Sequence, residues 1–231
     1  MVNNVIEILI ITAVFTVLGI LLGCGAVYVF NRLPAKWLCD YGEEPSAELL
    51  DTSVQRVKSF PNKLMFSGIF AALGIFFGVH DYVYGVTALF QLWLLLMIAI
   101  ADEKYMIVPD QFVIFLALFA FPMSVYRDSI LDMVYGACLG AGIMMVSAIC
   151  GRIIAKREAL GFGDVKLMSA IGLTAGLYGT AFIIAVSSLL ACCAFAYRLA
   201  AKKMKRGEAL PLAPYIALAA AVYMFIAGAG L

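Results

Sequence analysis

Charge is what this sequence has least of. Asp, Glu, Lys and Arg make up 13% of its 231 residues, and 16 Lys+Arg against 15 Asp+Glu leave a formal net charge of +1. Such a balance supplies no basic field for holding nucleic acid. Histidine is reduced to His80, which excludes a multi-histidine zinc centre and an H-E-x-x-H protease. No G-x-S-x-G occurs, so the nucleophile elbow of a serine hydrolase is missing too. The six cysteines (Cys24, Cys39, Cys138, Cys150, Cys192 and Cys193) contain no C-x-x-C pair. Five of them fall in apolar runs, where the expected role is small apolar packing.

What remains is hydrophobic. Residues of the A, V, I, L, M, F, W, Y and C set reach 65%, against roughly 45–50% in soluble domains. A soluble globular fold is excluded, and the expected class is an all-α integral membrane bundle. Apolar runs place eight membrane-spanning helices at about 8–30, 64–80, 83–101, 111–126, 131–150, 165–179, 180–198 and 211–230. Residues 1–231 are read as a single membrane-embedded domain, with 31–63 as a loop within it. The first run has no basic segment before it and is too long for a signal peptide's core, so it reads as a true span. With eight spans, 15 of the 16 cations fall on one side and only Arg127 opposite. Cations accumulate in cytoplasmic loops, so that side is cytoplasmic and both termini lie outside. Small-xxx-small pairs at Gly19/Gly23, Gly136/Gly140 and Gly172/Gly176 let helix backbones approach closely in lipid.

In lipid an ionisable group at the edge of a span is costly, which marks it for function. Asp102 closes the third span, Asp110 opens the fourth and Asp164 opens the sixth, all on the cytoplasmic side. Asp102 and Asp164 are therefore free to meet. Two carboxyls across a small dry gap share one proton. The ionised member then takes a proton from water while the other donates a hydrogen bond to a developing oxyanion. Gly161 and Gly163, in Gly161-Phe162-Gly163-Asp164, let backbone bend and approach a substrate beside the acid. A plain helix entry explains the same four residues. Val-Pro-Asp110 reads as a Pro-marked loop followed by a helix cap or a support for the site. Lys166 reads as a snorkelling, topology-setting cation. Glu103 and Lys104 read as solvated loop charges, and His80 and Asp81 as an outer turn without a role. In the loop 31–63, Asp40, Glu43, Glu44, Glu48 and Asp51 lie between the cations Lys36 and Arg56. Its segment 47–57 has the apolar spacing of a short interfacial helix, through Leu49, Leu50, Val54 and Val57.

Taken together, these residues resemble a known family. Asp102-x5-Val-Pro-Asp110, Gly161-Phe-Gly-Asp-Val-Lys-Leu167 and Leu210-Pro-Leu-Ala-Pro-Tyr-Ile-Ala-Leu218 are similar in order and spacing to bacterial type IV prepilin peptidases, the G-x-G-D membrane aspartyl proteases. The stretch Gly23 to Pro34, ending in Asn-Arg-Leu-Pro, looks like that family's N-terminal block. The resemblance implies cleavage of short, positively charged leaders from prepilins or pseudopilins on the cytoplasmic side of the bacterial inner or plasma membrane. It matches Asp102 and Asp164 to the two catalytic aspartates. Many members also methylate the new N-terminus with S-adenosylmethionine and carry C-x-x-C pairs in the first loop. Here that loop holds only Cys39, so no structural metal is expected and methylation stays open. Pro-Leu-Ala-Pro at 211–214 stands where the family often has Pro-Phe-Gly-Pro. Proteolysis by two carboxyls implies no cofactor, and the expected partners are prepilins and the lipid bilayer. A catalytically silent scaffold of a pilus or secretion machine, and a proton-coupled carrier, are the competing readings. Neither substrate identity nor oligomeric state is written in the sequence.

Overall fold

The computed structural model describes residues 2–39, 42, 44–50, 55–155, 161–202 and 210–230. Among them there is no strand. In hydrocarbon a backbone N–H or C=O finds no water, so an apolar chain satisfies these groups within each helix. The helices are α1 (Val2–Arg32), α2 (Ala47–Leu50), α3 (Asn62–His80), α4 (Tyr82–Tyr105), α5 (Asp110–Leu118), α6 (Ala120–Met123), α7 (Ile130–Ala155), α8 (Phe162–Ala200) and α9 (Ala213–Gly228). Five of these are long and apolar enough to cross a membrane, and two shorter apolar stretches, Asp110–Tyr126 and Ala213–Gly228, accompany them.

The chain divides into two compact units, Met1–Met97 with Met224–Leu231, and Ile98–Tyr223. In the first, α1 and α3 pack through small residues as the spacing predicts. A Cβ on Gly19 would strike the backbone of Phe70, and one on Gly23 the backbone of Ser67. Trp93 Nε1 donates to the Leu22 carbonyl at 3.0 Å, tying α4 to α1. Beyond α1 the chain folds back on itself. Asn31 exchanges two hydrogen bonds with the Val57 backbone, at 2.9 and 2.8 Å. Arg56 donates to the carbonyls of Leu33 and Leu49, at 2.6 and 3.0 Å. Of the helix expected over 47–57, Ala47–Leu50 is helical, and residues 51–54 lie outside the described ones. Residues 55–58 instead run irregularly, because Val57 pairs with an asparagine side chain rather than with its own helix. Asp40, Glu43, Asp51 and Val54, with Lys156, Arg157, Lys203, Lys205 and Arg206, lie outside the described residues.

In the second unit, α8 is 39 residues long, about 58 Å if straight, and it is not straight. Gly176 sits at φ 71, ψ −177, outside the helical region. A Cβ on Gly136 would meet both Gly172 and Gly176, whereas one on Gly140, a turn further along α7, would meet both Met168 and Thr180. Residues on either side of Gly176 thus march in opposite directions along the same helix. The element is a hairpin of two antiparallel helices, 162–175 and 177–200, joined by a single glycine. The chain breaks here at Gly176, a few residues before the expected 179/180 boundary.

A one-residue turn strands helix-end groups, and side chains from elsewhere satisfy them. Arg127 Nε donates to the Thr174 carbonyl at 3.0 Å. Tyr223 donates its hydroxyl to the Ala175 carbonyl at 3.1 Å, while Arg127 Nη1 donates to that hydroxyl at 2.8 Å. Asp132 accepts the Leu177 N–H at 2.9 Å. Arg127, the one cation on the wrong side of the charge count, is therefore a cap for a severed helix.

Candidate active site

The end of the second unit opposite this turn gathers the acids. Asp102 lies in the last turn of α4 and is 6% exposed. The helix stops because Met106 takes φ 56 and Pro109 follows, with the Met106 N–H still reaching the Asp102 carbonyl at 2.9 Å. Asp102 Oδ2 accepts the backbone N–H of Ala213, the first residue of α9, at 2.8 Å. A helix start has spare N–H donors and a positive dipole end, both of which suit a carboxylate. Asp164 lies in the first turn of α8 and is 9% exposed. Gly161, in extended conformation at φ −74, ψ 147, precedes the helix and accepts the Asp164 N–H at 3.1 Å. The Asp164 side chain is within Coulombic reach of Asp102, and its Oδ1 is buried with no hydrogen-bond partner.

Around the pair the chain is tightly laid. A Cβ on Gly163 would sit 2.8 Å from Val108 Cβ, so only glycine lets the 106–109 loop rest on the start of α8. Lys166 Nζ bonds both carboxylate oxygens of Asp110 at 2.9 Å, joining α8 to α5. The same ammonium stands 5.3 Å from the centroid of the Phe162 ring. Arg198, near the end of α8, pairs with Glu103 at 3.2 Å. No group of three or more His, Cys, Asp or Glu is placed to hold a metal among the described residues.

Residues 89–196, which contain both aspartates, match the model of the type IV leader peptidase family. The chain is 28% identical over 157 residues to a "Prepilin leader peptidase/N-methyltransferase" of Bacillus subtilis, which covers 67% of this chain and 60% of the relative. A protein of the same name from Xanthomonas campestris is 32% identical over 128 residues, 54% of this chain and 44% of the relative. One from Pseudomonas putida is 27% identical over 130 residues, 55% of this chain and 45% of the relative. The chain spans about half the length of these curated relatives. No solved structure matches it. Family and apolar helices together make it a multi-pass membrane protein.

Within the family's matched region the structure corrects several single-residue expectations. Asp110 is not a cap: Pro109 holds the cap position and makes no side-chain cap bond, while the Asp110 carboxylate is engaged by Lys166. Lys166 accordingly does more than set topology. Glu103 is not a free loop charge but part of α4, held by Arg198. Outside that region, His80 Nδ1 lies 2.8 Å from the Phe76 carbonyl, within its own helix. Asp81 caps α4 through the N–H groups of Val83 and Tyr84, at 2.9 and 3.0 Å. Five cysteines are exposed on helix surfaces rather than packed inside, and Cys39 is half-buried. Sequence reasoning missed the Ala213 donor altogether. Its only trace was the pair Pro211 and Pro214, which brackets a helix start with an available N–H.

Proposed function

We propose that this chain is a membrane aspartyl endopeptidase that removes the leader from type IV prepilins or pseudopilins, with Asp102 and Asp164 activating water. The observation that carries the reading is the buried, unpartnered Oδ1 of Asp164 in the field of Asp102. An orphaned buried carboxylate oxygen is costly unless a reactant or a shared proton uses it. In the reaction, one carboxylate takes a proton from water as the oxygen attacks the scissile carbonyl. The protonated partner gives a hydrogen bond to the oxyanion, and proton return to the amine completes cleavage. Ala213 N–H holds the Asp102 carboxylate in place, Gly161 leaves the space beside Asp164 open, and Gly163 lets the 106–109 loop rest against the start of α8. The Asp110–Lys166 pair supports the same turn.

In this reading the helices make eight crossings, both termini lie outside, and the acids face the cytoplasm from the bacterial inner or plasma membrane. Proteolysis uses no cofactor. Methyl transfer from S-adenosylmethionine stays open; Asn31 and Arg56 are engaged in the fold of the first loop. Co-expression with a prepilin from the same genome, followed by intact mass, tests the reading. The expected result is a precursor shortened by its leader. A folded wild-type chain that shortens none of that genome's prepilins would overturn it.

A further inference from the structure

The helices that gather at the acids are short. The stretch 162–175 rises about 21 Å and α9 about 24 Å, while Asp110–Tyr126, in three pieces, reaches roughly 26 Å. The hydrocarbon core of a bilayer is about 30 Å thick. Other helices of the second unit are long enough to cross it, with about 39 Å for α7 and about 36 Å for the stretch 177–200.

The short helices also begin and end together. At one end Lys166 ties α8 to Asp110 of α5, and Asp102 accepts the Ala213 N–H of α9. At the other, Arg127 donates to both the Thr174 carbonyl and the Tyr223 hydroxyl. Asp164 to Thr174 and Ala213 to Tyr223 each rise by about 15 Å. Two polar layers are thereby held apart by about half the hydrocarbon thickness. Asp110 and Lys166 are part-exposed in the first layer and Asp128 is exposed in the second, so each layer calls for water or headgroups. What lies between them on the outside is apolar. Ile114, Phe115, Leu118, Phe121 and Val125 are exposed, the last two at 86% and 83%, in a band bounded by Asp110 and Arg127. Such a band on a membrane protein meets lipid, and this one is too short for a bilayer of ordinary thickness.

We propose, on the peptidase reading above, that this side of the second unit fits a bilayer thinned by about 4–9 Å, so that bilayer thickness sets the rate of leader removal. In a thin bilayer the acid layer and the Arg127 layer both reach water. A thick bilayer either compresses against the short helices or lays acyl chains over the acid layer. The second outcome shuts out the water that the aspartates activate and leaves the Asp110–Lys166 pair in hydrocarbon. Cleavage then responds to the length of the surrounding lipid without any lipid-specific contact.

The test uses the full-length protein in phosphatidylcholine vesicles whose monounsaturated chains run from about 12 to about 22 carbons. One prepilin precursor serves throughout, and both leader removal and melting temperature are read. Wild type is expected to cleave about tenfold faster at the short end of the series than at the long end, and to melt highest at the short end as well. Phe121→Asp shortens the outward apolar band by about 9 Å and is expected to steepen the fall with chain length in both readouts. Phe121→Ser should do so to a lesser degree and serves if the aspartate variant does not fold. Because substrate and lipids are the same, a steeper profile belongs to the enzyme. An optimum at about 18 carbons or more in either readout, or the same profile for wild type and the folded Phe121 variants, would refute the fit. A wild type that melts highest in thin bilayers yet removes no leader in any of them would overturn the peptidase reading and leave the fit to lipid standing.

Discussion

The two glycines of Gly161-Phe162-Gly163-Asp164 have different reasons to be glycine, and alanine at each separates them. At Gly161 an added Cβ has nothing closer than Asp164 Oδ2 and Gly163 N, both at 3.9 Å, and φ −74, ψ 147 is ordinary for any residue. Alanine there is a poorer cap by roughly 0.5–1 kcal/mol, offset by the lower entropy of the unfolded chain, about 0.4–1 kcal/mol. Gly161→Ala is expected to leave stability within about 0.5 kcal/mol. At Gly163 the Cβ would fall 2.8 Å from Val108 Cβ and 3.2 Å from its Cγ2. Carbon atoms pack at about 3.5–4.0 Å, so α8 or the 106–109 loop must move by roughly an ångström. Overpacking of this kind costs about 1–3 kcal/mol, against which helix propensity returns at most about 1. A displacement of that size beside Asp164 costs about a hundredfold in rate. Gly163→Ala is therefore expected to lower the apparent melting temperature in detergent and to cut leader removal about a hundredfold. Adding Val108→Gly, which moves the glycine across the contact, should recover much of both. Equal melting and activity for Gly163→Ala and wild type would refute the packing argument.

Other perturbations follow from the same contacts. Asp102→Asn retains an acceptor for Ala213 N–H and should melt like wild type, whereas Asp102→Ala orphans that buried donor and should cost about 1–3 kcal/mol by circular-dichroism melting. Asp110→Ala and Lys166→Met should each lower activity only in part, and the double variant should do no worse than either, since both break one tie between α5 and α8; additive losses in cleavage assays would show that they act separately. Gly176→Ala forces a side chain into the left-handed region and into the Asp132 carboxylate, so it should destabilise by more than about 2 kcal/mol. Asp132→Ala, which only strands the Leu177 N–H, should cost about 1–3 kcal/mol and reduce activity no more than the folded fraction falls.

Some of this fold can be read from composition because lipid enforces it. An apolar run of about 20 residues has few alternatives to a helix, and the cations mark one face. The gathering of Asp102, Asp110 and Asp164 at one end of the second unit follows from that alternation. The hairpin inside α8 was legible only as a weak glycine break. Its position depends on Arg127, Asp132 and Tyr223, which cap the cut ends from other helices and leave no periodic signature near Gly176. The same holds for Asp110 with Lys166, Glu103 with Arg198, and Asp102 with Ala213. Each charge has a local reading as a cap, a snorkelling cation or a loop charge, and each is overridden by a partner distant in sequence.

The central claim is that two aspartates carry the cleavage. The most direct measurement is intact mass spectrometry of one prepilin precursor incubated with purified wild type, Asp102→Asn and Asp164→Asn, each shown to be folded by its melting curve. The account expects the leader to be removed by wild type and by neither variant, with all three proteins melting alike. Leader removal by either variant at the wild-type rate would take that aspartate out of the mechanism and contradict the account.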